Sequence, residues 1–296
     1  MQKVILYYKF APVSDPEAVR LWQKTLCEKG NLRGRIIISA HGINGTLGGN
    51  VEDLKMYIKE TKTYKSFKGM EFKWSEGGRE DFPKLSVKVR EEIVTFGAAE
   101  EIEIDERGIV GGGQRLKPEQ VHQLVQDRGD DVIFFDGRSV PEAAVGRFKN
   151  AVIPKVQTAK EFIKEIEKPK YKKLKDRPIV TYCTGGIRCE VLSMLMKKRG
   201  FKDVYQIDGG IIKYGEKYGD DGLWEGSLHV FDGRMGLKFS DKAKDIGNCE
   251  FCDSKTSIYR NCANNTCNKL ILVCDDCQNR TTCSKACAKL VLQFVS

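Results

Sequence analysis

The sequence predicts an α/β protein in three parts: two α/β domains followed by a small cysteine-rich module. Up to about residue 90, apolar runs alternate with helical patterns in the order βαββαβ. From about residue 121 the strands become apolar throughout, as strands buried on both faces must be, and helices separate them. Eight of the eleven cysteines then crowd between Cys249 and Cys287. At 296 residues the chain is long enough for two domains and a small third.

In the first part, 1–110, Lys3 to Phe10 reads as a strand. Ser14 and Glu17 form a capping-box pattern, after which Ala18, Trp22 and Leu26 share one helical face before Gly30 stops the helix. Arg35 to Ile38 and Ile43 to Leu47 are strands, and Asn50 is placed to cap a helix with Leu54, Tyr57 and Ile58 inward. Glu71 to Trp74 and Leu85 to Val89 supply later strands, so this part is expected to be a ferredoxin-like α/β sandwich. Gly111 to Gly113 and Lys117-Pro118-Glu119 read as a linker; no lysine followed by serine or threonine accompanies the glycines, which excludes a P-loop.

The second part, 121–222, has strands at Asp131 to Asp136, Pro178 to Tyr182 and Asp203 to Ile207. Phe162, Ile163 and Ile166 form one helical stripe, and Ile187, Val191, Leu192, Leu195 and Met196 another, ended by Gly200. Such alternation predicts a parallel sheet covered by helices. No apolar run approaches the roughly 18 residues needed to cross a bilayer. The N-terminus becomes charged too early for a secretory signal, so a cytoplasmic protein without a membrane partner is expected. The net charge of +9 favours polyanionic partners.

Chemistry concentrates at Cys183-Thr184-Gly185-Gly186-Ile187-Arg188, where a buried strand hands over to a helix. Ligands of parallel α/β sheets bind beyond the strand carboxyl ends. The two glycines let successive N–H groups curl inward as an anion-binding nest, and the helix adds its positive end. A thiol at that focus, with Arg188 nearby, is expected to ionise easily and act as a nucleophile. The Cys-x4-Arg spacing is one residue shorter than the loop that wraps phosphate in cysteine phosphatases, and suits a bound sulfur atom. Cys189 follows six residues on, either as a second redox thiol or as a packed one.

Asp136-x-Arg138, Glu142, Gly146 to Phe148, Ala151 to Pro154, the Cys183 loop and Asp208-Gly209-Gly210 resemble a rhodanese domain. In that family the loop cysteine carries a persulfide, and Cys183 occupies its position. Adding Gly42-Ile43-Asn44-Gly45-Thr46, Tyr182 to Glu190, Trp224-Glu225-Gly226 and Val230-Phe231-Asp232, the chain resembles the rhodanese-like tRNA uridine hydroxylases from residue 4 to about 235 and on into the cysteine cluster. The resemblance implies an oxidoreductase that makes 5-hydroxyuridine at the wobble position of tRNA with molecular oxygen, gripping the anticodon stem-loop. Ser139-Val140-Pro141 and Ala159 depart from the family's usual polar and aromatic residues. No flavin, haem or nicotinamide signature is present, and three histidines (His41, His122 and His229) argue against a two-histidine iron site.

The third part, 245–290, carries Cys249-x2-Cys252, Cys262-x4-Cys267, Cys274-x2-Cys277 and Cys283-x3-Cys287. Eight thiolates match two tetrahedral zinc sites, with iron–sulfur binding or redox-active cysteines as alternatives. A cross-brace, with the first and third pairs on one ion, is the preferred pairing. Lys255, Arg260, Lys269 and Arg280 make the module a plausible RNA surface. Tyr182, Trp224 and Phe231 are either bases' stacking partners or core. Two other functions fit parts of this pattern. One is a persulfide sulfurtransferase that needs no RNA, against which the N-terminal domain and the charge argue. The other is a non-catalytic zinc-bearing RNA-binding protein, against which the intact nucleophile loop argues.

Overall fold

A computed structural model of the chain describes residues 1–230, 236–267 and 269–293. β1 (Gln2–Phe10) leads into α1 (Pro16–Lys29). The α1 cap is Asp15, one residue beyond the expected Ser14: its Oδ1 accepts from the N–H groups of Glu17 (3.1 Å) and Ala18 (2.9 Å). The buried face of α1 is likewise one residue on, at Val19, Gln23 and Cys27, leaving Trp22 and Leu26 at its margin. Gln23 can lie inside because Tyr57 Oη donates to its Oε1 and its own Nε2 donates to Thr61 Oγ1 at 3.3 Å. A satisfied polar side chain on the buried face defeats a reading by hydrophobicity alone.

β2 (Arg33–Ser39), β3 (Gly42–Asn50), α2 (Val51–Thr61), β4 (Phe72–Ser75) and β5 (Leu85–Val89) complete this part. The Asn50 side chain does not cap α2; its Nδ2 donates to Asp53 Oδ2 at 3.3 Å. The strand order is β4-β1-β3-β2-β5. The first four make the antiparallel ferredoxin-like sheet, and β5 extends it parallel to β2. α1 and α2 cover one face over Ile5, Tyr7, Ile36 and Ile38, with Leu54 of α2 in the same core. On the other face Phe10 enters the core of the second domain, with Tyr8 packed against it.

After a short hairpin, β6 (Ile104–Asp105) and β7 (Gly108–Ile109), comes β8 (Gln114–Leu116) and then α3 (Pro118–Arg128). The expected linker is therefore structured. The Gly113 N–H donates to Ser193 Oγ at 2.8 Å and its carbonyl accepts from Gln206 Nε2 at 3.0 Å, so the glycines allow close packing rather than freedom. There follow β9 (Ile133–Asp136), α4 (Val140–Val145), β10 (Gly146–Phe148), α5 (Phe162–Ile166), β11 (Ile179–Tyr182), α6 (Ile187–Lys198), β12 (Val204–Ile207) and α7 (Gly210–Tyr218). Four strands form a parallel sheet in the order β8-β12-β11-β9. Helix α6 is buried nearly all round, from Cys189 to Met196, because it is wedged between this sheet and the N-terminal domain's contribution to the same core.

β13 (Trp224–Gly226) pairs with β10, and β14 (Leu228–His229) with β15 (Gly236–Leu237). Tyr182 and Trp224 are 0% and 1% exposed, so both are core and neither is available to stack on a base. Phe231 and Asp232 lie outside the described residues. The last part is a hairpin, β16 (Tyr259–Asn261) with β17 (Leu270–Leu272), and α8 (Lys285–Gln293). Tyr259 and Leu272 pack on Val145 of α4, and Tyr259 Oη donates to the Pro141 carbonyl at 2.5 Å. Among the described residues no helix is long and apolar enough to cross a membrane.

Candidate active site and metal clusters

β11 ends at Tyr182 and places Cys183 at the carboxyl edge of the parallel sheet. Thr184 and Gly185 turn the chain, and Gly186, with φ of +99°, starts α6 at Ile187. The Gly186 N–H donates to Cys183 Sγ at 3.2 Å. Against the loop packs the Gly209-Gly210 turn. A Cβ on Gly210 would lie 2.4 Å from the Cys183 carbonyl oxygen, so no other residue fits there. Instead Ile211 and Ile212 donate backbone N–H groups to the carbonyls of Cys183 (2.9 Å) and Thr184 (3.1 Å).

Cys183 is fully buried, which on its own disfavours its charge. Hydrogen bonding from the Cys189 thiol, the Arg188 guanidinium and the N–H groups of Cys189 and Arg188 outweigh that cost and hold its pKa well below the usual thiol value. Burial and the neighbouring Cys183 push Cys189 the other way. The pair thus shares one negative charge, seated on Cys183. A buried thiolate ringed by donors has the chemistry to act as a nucleophile.

Arg188 does not point at the sulfur alone. Its Nη1 and Nη2 donate to the two oxygens of Glu142, each at 2.7 Å, and Nη2 also reaches Thr184 Oγ1 at 3.2 Å. Behind this pair lies a second: Arg138, fully buried, donates to Asp136 from Nε (2.9 Å) and Nη2 (2.7 Å) and to the Gly146 carbonyl (2.6 Å). Burial raises the Glu142 pKa, but Arg188 and then Arg138 overcome that and bring it to about 2. A group depressed in this way stabilises the fold above its unfolded value of 4.5 and loses that contribution as pH falls toward 2. Glu142→Ala is expected to cost roughly 3–5 kcal/mol at neutral pH by leaving Arg188 uncompensated. The difference from the native chain should shrink as pH falls from about 4.5 to 2. Urea unfolding at pH 7 and pH 3 checks this, and equal midpoints at pH 7 would refute it.

Three residues from the first domain also reach this loop and were invisible in its motifs: Leu6 and Tyr8 of β1 and Lys73 of β4. Tyr8 Oη donates to Glu190 Oε1 at 3.0 Å, and Arg115 Nη2 reaches the same oxygen at 2.7 Å. The signal was the continuous apolar run in β1, where alternation would have marked a sheet with one wet face.

The eight cysteines form two groups, Cys249, Cys252, Cys274 and Cys277, and Cys262, Cys267, Cys283 and Cys287. This is the cross-brace pairing, with the β16–β17 hairpin running between the groups. Within each group all four sulfurs lie within 4.8 Å of one another. Sγ–Sγ distances of 3.4 Å (Cys252–Cys274) and 3.6 Å (Cys267–Cys283 and Cys283–Cys287) far exceed a disulfide. They approach the edge of about 3.8 Å that a tetrahedron with ~2.3 Å metal–sulfur bonds would have. Both groups can hold a metal ion.

Comparison with known proteins agrees with this architecture. Residues 2–93 match the UPF0176 acylphosphatase-like domain, 117–217 the rhodanese-like domain and 225–288 the rhodanese C-terminal domain. A tRNA uridine(34) hydroxylase of Corynebacterium urealyticum is 62% identical over 275 residues, covering 93% of each chain. The chain belongs to the tRNA uridine(34) hydroxylase family. A second member, from Corynebacterium glutamicum, is 58% identical over 297 residues, covering 99% of this chain and 95% of its own. Among solved structures, a rhodanese-like domain from Anabaena is 17% identical over 38% of this chain and 78% of its own, with a TM-score of 0.31. Family membership therefore rests on sequence across nearly the whole chain, which spans all three parts.

Proposed function

We propose that this protein is a cytoplasmic enzyme that uses molecular oxygen to convert the wobble uridine of tRNA to 5-hydroxyuridine, with Cys183 as its nucleophile. The observation that carries the reading is the buried Cys183 sulfur held ionised by the nest, in a chain related over nearly its full length to proteins named for this reaction. Uracil C5 is a poor nucleophile. A thiolate that bonds to C6 breaks the C5–C6 double bond and moves its electron pair toward C5 and the O4 oxygen, which makes C5 reactive toward an oxidant. Transfer of one oxygen atom to C5, loss of the C5 proton and departure of the sulfur from C6 restore the ring. The second oxygen atom leaves as water, taking up two electrons from an external two-electron donor and, over the whole reaction, two protons.

The Thr184–Arg188 loop would hold the sulfur and the anionic charge that develops beside it. An anticodon loop suits such a site because its bases can be splayed out of the stack. Zinc is the metal that four-thiolate groups with these spacings fit best, and we assign it to both clusters. Bound there, it would fix the β16–β17 hairpin, whose Tyr259 braces Pro141 at the start of the helix carrying Glu142.

Affinity for tRNA is expected to fall by about 10³-fold or more between roughly 50 and 200 mM salt if six or more phosphates are contacted. Filter binding with unmodified tRNA measures it; a flat response would remove the argument from the charge of +9.

A further inference from the structure

Lys73 donates from Nζ to the Gly185 carbonyl, in the middle of the nucleophile loop, and Nζ lies 5.5 Å from the centre of the Tyr8 ring. Leu6 and Tyr8 cover the same loop from the adjacent strand. A Cβ built on Gly185 would lie 2.8 Å from Leu6 Cδ2, and one on Gly186 would lie 3.0 Å from Tyr8 Oη. Beneath this cover Cys183 has no exposed surface. A lysine in such a place is unusual, because taking an ammonium out of water is costly unless charge or hydrogen bonds compensate it.

We propose that Lys73 is a positioning residue of the Cys183 site, supplied across the domain boundary by β4, which fixes the loop through the Gly185 carbonyl and brings a positive charge to the loop that carries the sulfur. The inference rests on Cys183 being the nucleophile of the proposed reaction. It gives the N-terminal domain a part in the chemistry. Burial lowers the Lys73 pKa, Cys183, Asp208 and Glu71 favour its charge, and Lys213 opposes it. The groups acting on Cys183 from the other side are Cys189 and Arg188 of α6, and the Tyr8 hydroxyl lies over Gly186 from β1. The loop therefore has cations on two sides, and only Arg188 was visible in the motif.

The test is alkylation of Cys183 by iodoacetamide in the full-length protein, followed from about pH 4 to about pH 10. Trypsin cleaves after Arg188, so Cys183 and Cys189 fall on different peptides and mass spectrometry reads each alone. The inflection of the rate reports ionisation of the sulfur, and the plateau reports access to it. Lys73→Gln keeps a donor for the Gly185 carbonyl and removes the charge; its inflection should rise by about one pH unit. Lys73→Arg should keep the inflection of the native protein. Lys73→Met, which loses both donor and charge, should raise the inflection as far as glutamine does and also raise the plateau several-fold as the cover loosens. An unmoved inflection in Lys73→Gln and Lys73→Met, whatever happens to the plateau, would overturn the proposal, as would an arginine variant shifted as far as glutamine. The assay needs no tRNA. A chain that shows the expected shifts and makes no 5-hydroxyuridine would therefore contradict the proposed reaction and leave the role of Lys73 standing.

Discussion

Cys183→Ser is expected to lower tRNA modification by at least about 10³-fold while leaving the fold and tRNA affinity unchanged. Serine is smaller, and its hydroxyl can still accept from the Gly186 N–H that now points at the sulfur from 3.2 Å. The same donors that bring a thiol below its usual pKa cannot bring an alcohol near neutrality, so no anion is available to attack C6. Core packing does not depend on the sulfur, because the loop is also held by the Gly210 turn through the carbonyls of Cys183 and Thr184. Single-turnover assays with unmodified tRNA, alongside binding and thermal unfolding, separate these effects. A serine variant with native activity would show that the sulfur is not the nucleophile.

Removal of metal should have the next largest effect. Structural zinc contributes on the order of 10 kcal/mol to the folding of small modules at neutral pH. Apart from the cysteines, the described part of this module offers little beyond Tyr259, Ile271, Leu272 and Val273 as core. A strong chelator is therefore expected to release about two ions per chain and open residues 249–287 to protease. The two α/β domains, each with its own core, should stay folded. Loss of the Tyr259–Pro141 hydrogen bond would loosen α4, so activity should fall. Cys252→Ala should release one ion and Cys189→Ala none. Elemental analysis decides the matter: metal near zero with the segment still protected would contradict the assignment.

The strand–loop–helix around Cys183 was legible because its determinants are local: an apolar strand, two glycines and the helix that follows. The ferredoxin-like order was legible from strand runs in the same way. The cap of α1 was misread by one residue because Ser14 and Asp15 are both cap formers, and only the geometry shows which carboxylate or hydroxyl meets the free N–H groups. Its buried face was misread because Gln23 is inside, satisfied by Tyr57 and Thr61 from another helix. Glycine content suggested a linker at Gly111 to Gly113, whereas Ser193 and Gln206 use those backbone groups to seat β8. The cysteine pairing was only a preference, since spacing permits other arrangements and the β16–β17 hairpin selects among them. Least legible was the approach of Lys73 to Gly185, between residues 112 positions apart, which no local pattern encodes.

On the proposed reaction, this chain places oxygen from O2 on the wobble uridine. The most direct test is mass spectrometry of tRNA nucleosides from a strain lacking the protein, complemented with the native chain or with Cys183→Ser and grown under ¹⁸O2. The expected result is 5-hydroxyuridine that carries one heavy oxygen atom and appears only with the native chain. Oxygen derived from water, a thiolated uridine in its place, or equal amounts of product with the serine chain would contradict it.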